Sequence, residues 1–498
     1  MAGRLHSGDA QAADRGAIGR LSARAAAFAT LLTLTSCGGS ISDTPIISGT
    51  TPPPTPAVAV REKPRSPEHA KLLATYGGLY PNAKLERTVA GLVGRLVAAS
   101  DAPNKSVRLT ILNSPAINAF ALPSGDLYLT RGLITLANDE SELAAVIAHE
   151  LAHVTADHAR LRQRQARAAA LARRVSDVVA DPAIKLSTRE TADLSRAAFS
   201  QRQELQADEI GVKTLARAGF DPFAAARFLE AMARFAALPA MNAAGGTDPG
   251  FLSSHPSTPA RVQNAKRVAR AFSGPGVNPP ERRAYLRALD DSLFGDDPSE
   301  GYVRGREFAH VSLGIAFTVP DGYALKNTSA AVLATDGAHT AIRFDAVPLK
   351  DQSLQAYLRS GWAKGLIEDS IRTESVSGMD VATASALVDG WSFRIAVIRG
   401  PTRAFRFIFA SSRSASAYAE AFRKTVASFR VLTPGQRAAM RPLTLQVVEV
   451  QPGDTIEILS ARMAGMDGPL KRPMFETLNG LGTASALRPG DLVKIVAD

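Results

Sequence analysis

The 498-residue sequence predicts an α+β protein in three parts: a mainly helical first domain with a small sheet, a second α+β domain, and a small terminal module. Three observations predict this. Stretches of good helix formers surround His149–His153 and Glu204–Asp208. Short period-two alternations precede them, as in Val107–Leu112, and mark half-buried strands. Beyond Pro279 the balance shifts to strand-like alternations with helices behind them, the α+β pattern.

The chain is long enough for two to four domains. Net charge is +11 and the pI about 9.9, with Arg in excess. No stretch interleaves aromatics with Lys/Arg as a nucleic-acid face does, so no nucleic-acid partner is expected. Anionic membrane or cell-wall surfaces suit the charge better. The one cysteine, Cys37, excludes an intramolecular disulfide. Arg20 and Arg24 precede an apolar run, Ala25–Leu34, which ends in Leu34-Thr35-Ser36-Cys37-Gly38. Residues 1–37 therefore have a secretory-signal layout, with an apolar run too short to span a bilayer. The ending is similar to a bacterial lipoprotein box, which implies that Cys37 is lipidated and becomes the mature N-terminus. The alternative is an ordinary signal peptide with an incidental cysteine. Asp9 and Asp14 sit in an unusually long leading segment, which points to a true start downstream of Met1. Gly38 stands where an inner-membrane lipoprotein often has Asp, so the expected location is the periplasmic side of a Gram-negative outer membrane. Residues 38–67, centred on Thr51-Pro52-Pro53-Pro54-Thr55-Pro56, read as an extended tether.

The first domain is expected over 68–278. Leu85, Val89, Leu92, Val93, Leu96 and Val97 recur at helix spacing and give that helix one buried face. Val107–Leu112, Ala116–Ala121 and Leu127–Thr130 read as strands, the last two around Pro123-Ser124-Gly125. A helix over Ser141–Ala159 carries His149-Glu150-Leu151-Ala152-His153. Residues four apart on a helix lie about 40° apart around its axis and about 6 Å along it. His149 and His153 can thus converge on one zinc ion. Glu150 is rotated by about 100° from His149, which suits a general base better than a third ligand. The plain alternative is a solvated helix with two chance histidines. A second helix, Thr188–Ala218, places Glu204 and Asp208 four apart; Glu204 would ligate and Asp208 would hold a zinc-bound imidazole by its other nitrogen. Alone, a Glu on a helix is usually a surface residue.

These two helices, together with Asn118-Ala119-Phe120-Ala121-Leu122-Pro123-Ser124-Gly125, resemble the M48 family of zinc metallopeptidases over roughly Ser66–Arg270. The resemblance implies a gluzincin: one zinc per chain held by His149, His153 and Glu204, with Glu150 as the catalytic base and Asp208 supporting. It also favours reading Asn118, Ala119 and Phe120 as a cleft edge to which an extended substrate adds as a strand, rather than a plain sheet edge. The segment Ser253-Ser254-His255-Pro256, followed by Arg261, is similar to a family segment near the active site. His255 is assigned to the catalytic set with three roles open: blocking the free zinc position, stabilising the oxyanion, or capping local backbone. Helices are also expected over the Arg-rich 158–179, a solvated face or a segment near anionic lipid, and over 223–237.

An accessory α+β domain is expected over 300–433. Its strands fall at Ile315–Val319, Ala341–Val347, Phe393–Arg399 and Phe405–Ala410, and its helices at Leu354–Lys364 and Ser416–Ser428. Its opening faintly resembles PsbP/Mog1-like domains. Residues 443–498, with Pro452-Gly453-Asp454 and Pro489-Gly490-Asp491, resemble a LysM module, a strand–helix–helix–strand fold that binds N-acetylglucosamine-containing glycan. Peptidoglycan glycan is accordingly an expected partner, with a degenerate structural module as the alternative. The leading expectation is an envelope zinc endopeptidase that hydrolyses misfolded or unassembled envelope proteins. An assembly factor with secondary proteolysis and a peptidoglycan hydrolase are the alternatives.

Overall fold

The computed structural model describes residues 65–177, 182–238, 251, 255–272, 279–328, 330–337, 339–349, 351–412, 418–482 and 486–498, without the side chains of 168–199 and 279–281. Cys37 and the signal segment lie outside the described residues, as do nearly all of the tether and Ser253 and Ser254.

The chain is α+β. Its first core is made by α1 (Pro67–Thr75), α2 (Ala83–Ala99), α3 (Arg131–Leu136), α4 (Glu140–Thr155), α5 (His158–Asp177), α6 (Pro182–Arg217), α7 (Ala224–Ala236), α8 (Pro259–Ala269) and α9 (Pro279–Leu289). A three-stranded sheet, in the order β1 (Arg108–Leu112), β3 (Asp126–Thr130), β2 (Ala119–Ala121), completes it. Asn82 caps α2 by accepting from the Leu85 N–H, and the helix buries Leu85, Val89, Leu92, Val93 and Leu96. Each such side chain, fully buried, contributes about 1.5–3 kcal/mol.

Helix α4 is the centre of this core. Asp139 caps it, Glu140 and Glu142 complement its N-terminal dipole, and every residue from Ser141 to His153 is buried. A helix buried on all sides has little amphipathic period, so its sequence announces it by composition and motif instead. The expected single helix over Ser141–Ala159 is corrected: α4 stops at Thr155, Asp157 takes φ 56°, and α5 restarts at His158. Asp tolerates that left-handed backbone better than most residues. Strand β1 runs parallel to β3, while β2 pairs antiparallel on the far side of β3 and forms a sheet edge.

The first core includes residues beyond 278, where the composition shifts toward strand-like alternations. Tyr285, Leu286 and Leu289 of α9 are buried within it. The Tyr285 hydroxyl donates to the Ile134 carbonyl at 2.7 Å. Arg131 donates to the carbonyls of Leu293 and Gly295. Residues 293–294 (β4) then pair with β16 (Leu443–Glu449).

Between β4 and β16 lies the accessory unit. Four strands, β5 (Tyr302–Arg304), β6 (Glu307–His310), β7 (Ile315–Thr318) and β15 (Arg430–Val431), form one sheet. A seven-stranded sheet has the order β11 (Leu366–Val376), β12 (Met379–Val388), β13 (Trp391–Arg399), β14 (Arg403–Ser411), β10 (Thr340–Pro348), β9 (Val332–Thr335), β8 (Ala324–Asn327). Phe308, Phe317, Phe344, Phe405, Phe407 and Phe429 build the core beneath it. One strand here goes unsignalled in the sequence, and one expectation is corrected. Strand β11 is an exposed edge carrying Glu368, Asp369, Arg372 and Glu374, charges that hide its alternation but guard a sheet edge. The helix expected over Leu354–Lys364 ends at Leu358 (α10), and Gly361 takes φ 87° just beyond. Helix α11 covers Ala419–Ala427 and α12 covers Pro434–Ala439.

The terminal segment runs β16, α13 (Ile456–Ala461), α14 (Gly468–Leu478), β17 (Leu492–Ala497), with β16 and β17 antiparallel. It is packed on the first core. Phe235, Leu238 and Phe294 join its apolar cluster. The buried Lys494 ammonium donates to the carbonyls of Thr135, Leu136 and Ala137 at 2.9, 3.2 and 2.8 Å, closing the C-terminal end of α3. Burial draws its pKa down to about 7 against the opposing pull of Glu142. Three carbonyl acceptors nonetheless require three N–H groups, which only the ammonium form has.

Candidate active site

Helices α4 and α6 supply most of the site. Gly211 lets them approach: a Cβ placed there would lie 3.3 Å from the His149 nitrogen and 3.4 Å from the Ala148 carbonyl carbon. Glu204 lies two helical turns before Gly211, on the same face of α6. Gly211→Val is therefore expected to push α6 away from α4, costing about 1–3 kcal/mol as overpacking does and weakening metal binding. Thermal unfolding and a zinc titration check this; parent-like values in both would mean the helices absorb the change.

His149, His153, Glu204 and His255 converge, each offering one ligand atom within 4.8 Å of the others, and all four are buried. His149 Nε2 lies 3.0 Å from His153 Nε2, 3.3 Å from Glu204 Oε2 and 3.3 Å from His255 Nδ1. His153 Nε2 is 3.4 Å from Glu204 Oε1, and His255 Nδ1 is 2.8 Å from Glu204 Oε2. A tetrahedral zinc with bonds of about 2.0–2.1 Å separates its ligands by about 3.3 Å. These separations and donor types fit such an ion. Glu204 Oε1 and Glu150 Oε1 are also buried without a hydrogen-bond partner among the described residues, a condition that an ion and its water would relieve.

Asp208 Oδ1 stands 3.0 Å from His149 Nδ1, with the ring N–H out of line for a straight hydrogen bond. Arg261, buried on α8, grips Asp208 with two bonds of 2.8 and 2.7 Å and reaches Glu204 Oε2 at 3.2 Å. Burial opposes every charge in this cluster, and the neighbours decide the outcome. Burial would lower His149, yet Asp208 and Glu204 raise its pKa to about 9. His153, lacking a carboxylate at its other nitrogen, is lowered by burial and by the His149 charge. Burial would raise Glu204 and Asp208, but His149 with His255 and Arg261 with His149, respectively, hold them low. Glu150 is the exception: burial wins and its pKa rises. Its carboxylate accepts from the Ala121 N–H, and Oε1 faces His255 Nε2 at 3.7 Å.

The β2 edge is narrower than expected. Thr130 N–H donates to Asn118 O and Leu122 N–H to Asp126 O, so even-numbered residues face β3. The Asn118 amide is tied to the Tyr76 hydroxyl at 2.8 Å, and the Phe120 ring stacks on Tyr128. Odd-numbered residues face outward: Ile117 O accepts from Phe251 N–H, and Ala119 points its N–H and C=O the same way. Of Asn118, Ala119 and Phe120, only Ala119 thus turns its backbone groups to that side, and it is itself buried at 1% exposure.

The sequence reading noted Arg261 without a role and missed Gly211 and the inward turn of His158. An Arg after a His-Pro segment carries no signal of its own until Asp208 is known to be buried. Gly211 inside a helical run was a usable signal, since such a glycine often marks close packing.

Residues 81–269 match the Peptidase family M48 profile. The beta-barrel assembly-enhancing protease of Yersinia pestis is 33% identical over 191 residues, 36% of this chain and 37% of that protein. The mitochondrial metalloendopeptidase OMA1 of Schizosaccharomyces pombe is 32% identical over 181 residues, 35% of this chain and 50% of that protein. Among solved structures, cyanobacterial PsbP from Synechocystis sp. PCC 6803 aligns with 28% of this chain and 98% of its own at 12% identity and a TM-score of 0.21. The matched regions are 37% to 50% of the length of these two relatives.

Proposed function

We propose, from the match of residues 81–269 to the Peptidase family M48 profile, that the chain is a zinc endopeptidase of the bacterial cell envelope acting on misfolded or unassembled envelope proteins. The observation that carries the catalytic part is the set of four buried ligand atoms, from His149, His153, Glu204 and His255, all within 4.8 Å of one another and so close enough to share one ion. His149, His153 and Glu204 would hold the ion, with His255 Nδ1 at the fourth corner. When bound, zinc lowers the pKa of water and polarises the scissile carbonyl.

The protein's own groups do the rest. Glu150, with its raised pKa, takes a proton from the attacking water and passes it to the leaving amine nitrogen. Arg261 and Asp208 fix His149. Ala119 pairs with an extended substrate backbone, a mode that reads polypeptide rather than side chain and suits unfolded clients. Envelope location is supported by the signal layout ending at Cys37 and by the name of the bacterial relative. No helix among the described residues is long and apolar enough to cross a membrane; on this reading a lipid at Cys37 attaches the protein. The strand–helix–helix–strand tail supports glycan contact as a further role. Incubation with unfolded polypeptide and with isolated murein tests the reading: zinc-loaded protein that cleaves no polypeptide sinks it.

The placement of His255 favours a gate among its three roles. It occupies a ligand corner, and Phe251, to whose carbonyl the His255 N–H donates, already pairs with the outward carbonyl of Ile117. Phe251 thus stands at the start of the proposed substrate edge and His255 in the ligand cluster. His255→Ala is expected to raise basal cleavage on the order of tenfold, about 1.4 kcal/mol toward the open form. A fall of about 10²–10³ with zinc intact would assign the oxyanion role instead. Unchanged turnover would leave backbone capping.

A further inference from the structure

His158 is the first residue of α5, and none of its surface is exposed although Arg160 two residues on is exposed. It follows His153 by five positions. In one continuous helix those residues would be about 140° apart around the axis and would face different ways. The left-handed Asp157 breaks the helix and returns the His158 ring to His153. His158 Nδ1 lies 2.8 Å from His153 Nδ1, and the rings meet edge to face with centroids 4.8 Å apart. On its other side His158 Nε2 lies 3.3 Å from Gln206 Oε1, and its carbonyl accepts from Gln203 Nε2 at 3.3 Å.

Two facing imidazole nitrogens share a hydrogen bond only when one carries the proton and the other does not. His153 turns its Nε2 into the ligand cluster, 3.0 Å from His149 Nε2 and 3.4 Å from Glu204 Oε1. A neutral imidazole that keeps a lone pair on Nε2 carries its proton on Nδ1. His153 then donates and His158 accepts. The His158 proton accordingly sits on Nε2, facing an amide oxygen that can only accept. The opposite assignment would aim an N–H of His153 at the metal corner and leave two acceptors facing each other at Gln206.

We infer that His158 is a positioning residue that fixes the tautomer and ring orientation of His153, the counterpart of Asp208 at His149. This rests on reading the cluster as a zinc centre. Both supports come from α6: Asp208 reaches His149 directly, and Gln206 reaches His153 through His158. They differ in charge. An anion backs His149 and a neutral ring backs His153, so the two zinc ligands are unequal electron donors. His149 is the stronger of the pair.

The test compares His158→Leu, which fills space but accepts no hydrogen bond, with His158→Gln, whose amide oxygen can accept. Full-length protein is measured by chelator competition for zinc and by the absorption spectrum of its cobalt form. Leucine is expected to weaken zinc binding about 10–100-fold and to shift the cobalt bands, while glutamine recovers most of both. A leucine variant with parental affinity and spectrum overturns the inference alone; a parent that takes up neither metal overturns the zinc reading with it. If the leucine variant does not fold, Gln206→Leu at an exposed position carries the test. Removing the acceptor for Nε2–H should weaken zinc severalfold, and unchanged affinity overturns the relay.

Discussion

Glu150→Gln is expected to keep its zinc and lose cleavage by about 10²–10⁴-fold, the usual contribution of a positioned general base. Glutamine has the same shape and can still meet the Ala121 N–H, but it cannot take a proton. Glu150 stands outside the four-atom cluster, so metal content should not fall. Its environment also suits the task. Burial raises its pKa, while His255 and His149 pull the other way, and the balance leaves a carboxylate able to accept a proton and release it. The check is zinc content beside turnover of an unfolded polypeptide. Zinc lost together with activity would make Glu150 a ligand, and activity retained would remove the proton-transfer role altogether.

Arg261→Met should be the most destabilising single change at the site. Arg261 is buried and joins Asp208 through two bonds while standing 3.2 Å from Glu204. Methionine fills much of the volume but leaves two buried carboxylates with less positive charge. Breaking a buried pair in this way costs about 3–5 kcal/mol. Arg261→Lys should rescue little, because a single ammonium cannot reproduce the two-pronged grip. Added zinc should recover part of the loss, since Glu204 would then be neutralised by the ion. Denaturant unfolding with and without zinc measures both effects. A variant within about 1 kcal/mol of the parent, well below that range, would show that Asp208 does not depend on Arg261.

How much of this was legible in the sequence follows from how local each signal is. His149 and His153, and Glu204 and its supporting Asp208, sit at spacings of four on two helices, and helical geometry makes such spacings readable in advance. Gln206 and Gly211 on α6 were equally local, but their partners lie on other elements, so nothing nearby gave them meaning. His158 failed for another reason: a reading that runs α4 straight through Asp157 turns the ring the wrong way. Strand β11 was hidden because an edge strand exposed on its surface needs charges more than alternation. The β2 edge was found, yet its register depends on pairing with β3, and one residue of slip decides which backbone groups face a substrate.

The bond from Lys494 to the end of α3 joins residues 357 to 359 positions apart. Such a closure must wait until the intervening chain has been made, and its long loop makes it slow to form. Glu142, on the first turn of α4, feels the charge of that same lysine. During synthesis, therefore, the N-terminal side of this helix lacks that cation until residue 494 has been made. Order of synthesis is thereby written into the helix: its first turn meets this lysine only after the accessory unit between them has been made.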